Sequence, residues 1–297
     1  MRRREVVLAL GAAALAACGS GRRVEDDLRE RLTSLEARTG GRLGVGMLQT
    51  DTGTVVHHRG DERFAMCSTF KLSLAALVLR EAEFGNLSLD TFIAYTEADM
   101  VPYAPVTTEN LDAGGMTVGA LAEAAQKNSD NVAANLLIRE LGGPAGFTEK
   151  LRATGDDTTR LDRYEPEMNL VPPGEVRDTT TPNAMASTVA GFVTGATLST
   201  DNAALLRRWM EDTRTGLRRI RGGLPEGLPA GDKTGTGVGM GMANKYNDVA
   251  VVWPSDRGPL VIAGYFEADR EYDSIRPEDE AVLEEIGRIA TEWLSEG

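Results

Sequence analysis

Apolar residues recur at helical spacing near the start of the chain, at Val24, Leu28, Leu32 and Leu35, and predict an amphipathic helix over 24–38. Two runs of strand character follow, Arg42 to Gln49 and Val55 to Arg59, joined by the turn Asp51-Thr52-Gly53. From Ser68 to Glu83 the pattern returns to helix. Phe70, Leu74, Leu77 and Val78 make one face, while Leu72, Ala75, Ala76 and Leu79 occupy the others, so this helix is apolar nearly all round and should be buried. Further helices are expected at 117–127 and 131–141, the second stopped by Gly142-Gly143, and at 183–194 and 201–213. The last third is different: Asn247 to Trp253 and Leu260 to Phe266 are β-rich. Val282, Ile286, Ile289 and Trp293 then mark a closing amphipathic helix. Strands at both ends and helices between them predict two lobes, with a cleft at their seam.

Composition narrows the function. The 297 residues are 41% hydrophobic, enough for one large domain or two interlocked ones. A formal charge of −13 argues against nucleic acid, whose phosphates demand clustered Lys and Arg. Arg2-Arg3-Arg4 followed by the apolar segment Val6 to Ala17 reads as an export signal. Its end, Leu15-Ala16-Ala17-Cys18, resembles a bacterial lipobox. That resemblance implies a lipid on Cys18 and attachment to the cell membrane; an ordinary cleaved signal peptide is the plainer reading, and the paired arginines also admit twin-arginine export. Cys67 is the only other cysteine, so lipidation of Cys18 leaves it without a disulfide partner. The two histidines, His57 and His58, are adjacent in a strand and point to opposite faces, which argues against a Ser-His-Asp triad. They and a lone thiol make no sensible metal-ligand set, so no metal or other cofactor is expected.

Three short motifs carry the chemistry. Ser68 and Lys71 are three apart at the start of the buried helix. They therefore share a face, and the helix N-terminus offers N–H groups to a developing oxyanion. Composition alone supplies about one Ser-x-x-Lys pair in a chain of this size, so the pair by itself proves nothing. Ser129-Asp130-Asn131 precedes a helix and would serve as a cap. Lys233-Thr234-Gly235 could be a strand end; with Asp232 before the lysine it is not a phosphate loop. In this order and spacing the three form the signature of active-site serine penicillin-recognising enzymes.

The resemblance extends to one branch. Arg63 to Lys71 is similar to the nucleophile segment of class A β-lactamases, as are Arg163-Tyr164-Glu165-Pro166-Glu167-Met168-Asn169 and Arg177-Asp178-Thr179-Thr180-Thr181-Pro182. The similarity runs from about Leu28 to the C-terminus. It implies a two-lobed α/β fold: an antiparallel sheet flanked by N- and C-terminal helices, plus an all-helical lobe. The corresponding division is an export signal at 1–18, a discontinuous α/β lobe at 24–66 and 212–297, and a helical lobe at 67–211 that includes an Ω-loop at 160–178.

The resemblance also implies roles. Ser68 would be the nucleophile and Ser129 the donor to the leaving nitrogen. The acylation base would be Lys71, or Glu165 through a water, and the sequence leaves both open. Glu165 and Asn169 would hold the hydrolytic water, with Arg163 and Asp178 pairing at the loop's neck. Lys233, Thr234 and Thr236 would meet the substrate carboxylate, with Gly235 between them in the substrate site, the N–H groups of Ser68 and Thr236 the oxyanion, Asn131 the acylamide and Tyr103 the cleft rim. The chain departs from many relatives in having no arginine between Thr236 and Pro254, and Arg219 matches the alternative that some members use. The stretch Gly237 to Tyr246 is also longer than usual by a few residues. The expected activity is hydrolysis of penicillins or cephalosporins, conferring antibiotic resistance, by an exported monomer. The rival readings are a D-alanyl-D-alanine peptidase and a β-lactam sensor that acylates and stops.

Overall fold

The computed structural model describes residues 23–296; the export segment and Cys18 lie outside them. A helix over 23–39 (α1) leads into strands β1 (Arg42–Gln49) and β2 (Val55–His58). A helical middle follows: α2 (Phe70–Glu83), α3 (Val118–Asn128), α4 (Asn131–Glu140), α5 (Gly143–Arg152), α6 (Pro182–Val193) and α7 (Thr200–Asp212). Strands β3 (Ala230–Gly237), β4 (Lys245–Val252) and β5 (Leu260–Glu267) and the helix α8 (Pro277–Glu296) close the chain. The five strands form one antiparallel sheet in the order β2-β1-β5-β4-β3, so both ends of the chain share it, as the strand pattern predicts.

Both faces of this sheet are covered, which is why its strands read as nearly unbroken apolar runs. Along β4 and β5, Tyr246, Ala250, Val252, Leu260, Ile262 and Phe266 pack with Leu28, Leu32 and Leu35 of α1 and with Leu283, Ile286 and Ile289 of α8. The alternate residues Val249, Val251, Val261, Ala263 and Tyr265 join the core of the helical lobe, around Phe70, Leu74 and Leu77 of α2. The backbone of β1 lies close to that lobe: a Cβ on Gly46 would come within 2.8 Å of the Pro182 backbone. Only glycine fits there.

Helix α2 is buried from Phe70 through Leu79, as its all-round apolar pattern predicts. The expected helix start at Ser68 is instead a short 3-10 turn, Cys67–Thr69, entered through Cys67 at φ 44°. Among the described residues no helix is long and apolar enough to cross a membrane.

Leu283 is fully buried between α8 and the sheet, far in sequence from the motifs. Leu283→Ala should cost about 2–5 kcal/mol of stability. Thermal unfolding should show the loss, while activity per folded molecule stays unchanged.

Candidate active site

Ser68, half-buried in the 3-10 turn, faces a cleft of about 510 Å³ at the seam. The turn is held from the sheet side. Asn247 donates from Nδ2 to the carbonyls of Ala65 (2.8 Å) and Met66 (3.0 Å). Gly235 of β3 lies so close that a Cβ there would meet the Met66 carbonyl at 2.7 Å and the Ser68 nitrogen at 3.1 Å. A glycine in the Lys-Thr-Gly motif is therefore a packing requirement of the nucleophile turn.

Lys71, one helical turn on, has no exposed surface and donates to Ser68 Oγ at 2.9 Å. The same ammonium lies 3.0 Å from Glu165 Oε1, donates to the Ser129 carbonyl at 3.0 Å, and reaches the Asn131 Oδ1. Ser68 in turn donates to Glu165 Oε1 at 3.3 Å. Hydroxyl, amine and carboxylate thus form a closed triangle.

Ser129-Asp130-Asn131 performs structural and site duties together. Ser129 ends α3 in the left-handed region, at φ 57°. Asp130 caps α4 through Ala133 N–H (2.9 Å) and accepts from the N–H groups of Val106 (3.0 Å) and Thr107 (2.9 Å). The reversal between the two helices swings the Ser129 hydroxyl between two ammonium groups, Lys233 at 3.0 Å and Lys71 at 3.5 Å. Asn131 also donates to the Pro102 carbonyl at 2.8 Å, and its N–H donates to Tyr103 O at 3.0 Å. Tyr103 itself, 61% exposed, stands at the cleft rim.

Lys233 lies inside β3 rather than at a strand end, wholly buried. Burial, reinforced by the nearby Lys71 charge, pushes its pKa down to about 7. Beneath it Asp232 pairs with Arg221 at 2.9 Å. Burial also raises Asp248, and the neighbouring Asp232 raises it further.

Residues 160–178 wrap across the cleft floor. Their ends are pinned by Asp178, which accepts from Arg163 Nε (2.6 Å) and from the N–H groups of Asp162 (2.7 Å) and Arg163 (3.0 Å). Burial nevertheless raises the Asp178 pKa. The Glu165–Pro166 peptide is cis. Asn169 donates to Glu165 Oε2 at 2.5 Å and to the Pro166 carbonyl at 3.0 Å, while its own Oδ1 is buried without a partner among the described residues.

Arg219 reaches the cleft from the segment before β3, and most of its donors are engaged. Nη1 bonds the Gly235 (3.0 Å) and Asn247 (2.8 Å) carbonyls, Nη2 bonds Thr236 Oγ1 (2.7 Å), and Nε pairs with Glu280 at 3.2 Å. Thr234 donates to Thr215 Oγ1 at 2.7 Å. Glu280, Thr215 and Asn135 are the residues that sequence reasoning missed. Asn135 grips the Glu165 backbone in both directions, at 2.9 Å each way. Its signal was present, since Asn131 and Asn135 are four apart on one helix face. Glu280 and Thr215 carry no such local signal.

The remaining candidates are inert here. Cys67 is buried and free, its thiol pushed up to about 12 by burial, which leaves it protonated and a poor nucleophile. His58 is bonded to Glu36 at 2.8 Å on the outer sheet edge.

The Beta-lactamase enzyme family model matches residues 27–294. The chain is 41% identical over 292 residues to β-lactamase OXY-2 of Klebsiella oxytoca, covering 98% of both sequences. It is 47% identical over 230 residues to β-lactamase FAR-1 of Nocardia farcinica, covering 77% of this chain and 72% of that one. The solved structure of an ancestral (GNCA) class A β-lactamase superposes with a TM-score of 0.84 at 48% identity, over 90% of this chain and 99% of that one.

The Lys233 environment sets a pH dependence. Its ammonium is present below about pH 7 and lost above, so attraction for a substrate carboxylate should fade as pH rises through that value. The kcat/KM profile for benzylpenicillin should fall there. Lys233→Arg, whose guanidinium stays charged, should move that fall to higher pH. A profile flat from about pH 6 to about pH 9 would remove Lys233 from this role.

Proposed function

The chain belongs to the class A β-lactamase family and hydrolyses the β-lactam amide, and on that premise we propose how its side chains divide the work. Ser68 Oγ forms a bond to the β-lactam carbonyl carbon as its proton enters the Lys71–Glu165 pair, both members of which lie within reach. The N–H groups of Ser68 and Thr236 take the oxyanion. The carbon–nitrogen bond breaks, and the nitrogen receives a proton from Ser129, whose hydroxyl is polarised by Lys233 and regains a proton from the pair through Lys71. A water then attacks the serine ester while Glu165 accepts its proton, and the acyl–oxygen bond breaks to restore Ser68.

The observation that carries this reading is Glu165 beside Ser68 Oγ, with the orphaned Asn169 Oδ1 next to it. Together they make a polar niche for one water, with an acceptor for its hydrogen and a base for its proton. A peptidase or a sensor that stops after acylation has no use for that carboxylate.

Substrate binding follows from the same geometry. Lys233, Thr234 and Thr236 meet the substrate carboxylate, with Gly235 giving clearance. Arg219 orients the Thr236 hydroxyl and adds charge through its remaining N–H; Glu280 holds the guanidinium in place. Asn131 takes the acylamide and Tyr103 packs on the side chain of the drug. We read the lobes as 24–66 with 212–297, and 67–211. The protein is read as a monomer exported from the cell and held to the membrane by a lipid on Cys18.

Mixing the purified protein with a chromogenic cephalosporin tests this function. Hydrolysis should continue through many drug equivalents per Ser68. A single stoichiometric burst that then stops would contradict it.

A further inference from the structure

A second cavity, of about 560 Å³, lies behind the loop, between residues 171–176, the chain around Arg63 and the start of β4. Its size is in the range that small-molecule sites occupy. Val171, Pro172 and Val176 give it one apolar wall, and Met242 contributes to another.

Three cationic side chains, Arg42, Arg63 and Lys245, and three carboxylates, Glu62, Glu175 and Glu267, line it. Lys245 opens β4 on the same face as Asn247, whose amide reaches Ala65 and Met66, and it lines this cavity while only 4% exposed. Among the described residues its ammonium has no hydrogen-bond or ion-pair partner. The carboxylates nearby are already engaged: Glu267, directly across the ladder, pairs with Arg42 at 3.0 Å, and Glu62 pairs with Arg42 at 2.9 Å and with Arg59 at 3.0 Å. Glu175 pairs with Arg177 at 2.5 Å. Arg63, on the cavity wall, donates only to neutral oxygens, those of Thr158 (3.1 Å) and Thr179 (3.0 Å). An ammonium that lines a cavity without a partner of its own is free to take an anion.

We propose that this cavity binds a small monocarboxylate with an apolar body, its carboxylate on Lys245 with Arg63 adding positive potential, and its body against Val171, Pro172 and Val176. One wall is the loop that carries Glu165, so an occupant and the position of that carboxylate are thermodynamically linked.

The test uses 4-phenylbutyrate as probe, on the full protein with phenylboronate saturating the catalytic cleft, followed by amide chemical shifts. Saturable shifts are expected in residues 171–176 and 242–245. Affinity should fall at least ten-fold in Lys245→Met, and at least ten-fold for the uncharged 4-phenylbutanol on the unsubstituted protein. Lys245→Gln serves in its place if Lys245→Met does not fold. No saturable shift in these residues, equal affinity in the variant, or equal affinity for the alcohol would each overturn the proposal.

Discussion

The contact between Lys71 and Glu165 is the constraint that the rest of the site serves. Two oppositely charged side chains, both without exposed surface, lie 3.0 Å apart beside a serine hydroxyl. Burying two such charges costs several kcal/mol per ion unless further hydrogen bonds complete their shells. The surroundings supply them: Ser129 O and Asn131 Oδ1 for the ammonium, Asn169 and Ser68 for the carboxylate. The same low-dielectric setting strengthens every charge-dipole interaction that the reaction needs.

Holding that pair requires partners from three parts of the chain. Helix α2 brings Lys71 and the 3-10 turn before it Ser68, the reversal between α3 and α4 brings Ser129 and Asn131, and the loop at 160–178 brings Glu165. The loop has little regular structure of its own, so its position comes from contacts at its neck and middle. Arg163 with Asp178 closes the neck, and Asn135 fixes the Glu165 backbone. The sheet completes the frame through Gly235 and Asn247, which press on the nucleophile turn from behind. The two lobes are thus coupled at the residues to which we assign the chemistry.

Much of this was legible in the sequence because periodicity reports burial. The helical middle, the strands at both chain ends and the all-round apolar α2 follow directly from spacing. Ser68 and Lys71 could be placed on one face by their three-residue separation alone. Glu165 could not: it is one acid among many in an irregular segment, and only the resemblance of its surroundings singled it out. Glu280 and Thr215 were invisible because their roles come from tertiary contacts with Arg219 and Thr234, distant in sequence. Arg219 was found, yet its engagement by two backbone carbonyls could not be, since backbone acceptors leave no trace in residue identity. The unpaired Lys245 was equally hidden, because lysine at the start of a strand ordinarily reaches solvent.

Turnover as proposed requires the Glu165 carboxylate to be the base that frees the serine ester. Intact-mass spectrometry of Glu165→Gln after mixing with benzylpenicillin reads this directly. The substitution keeps the shape and removes the charge. One penicilloyl adduct per molecule, persisting long after the unsubstituted enzyme has returned to its free mass, is the predicted result. A variant that sheds the adduct as fast as the unsubstituted enzyme would contradict the assignment.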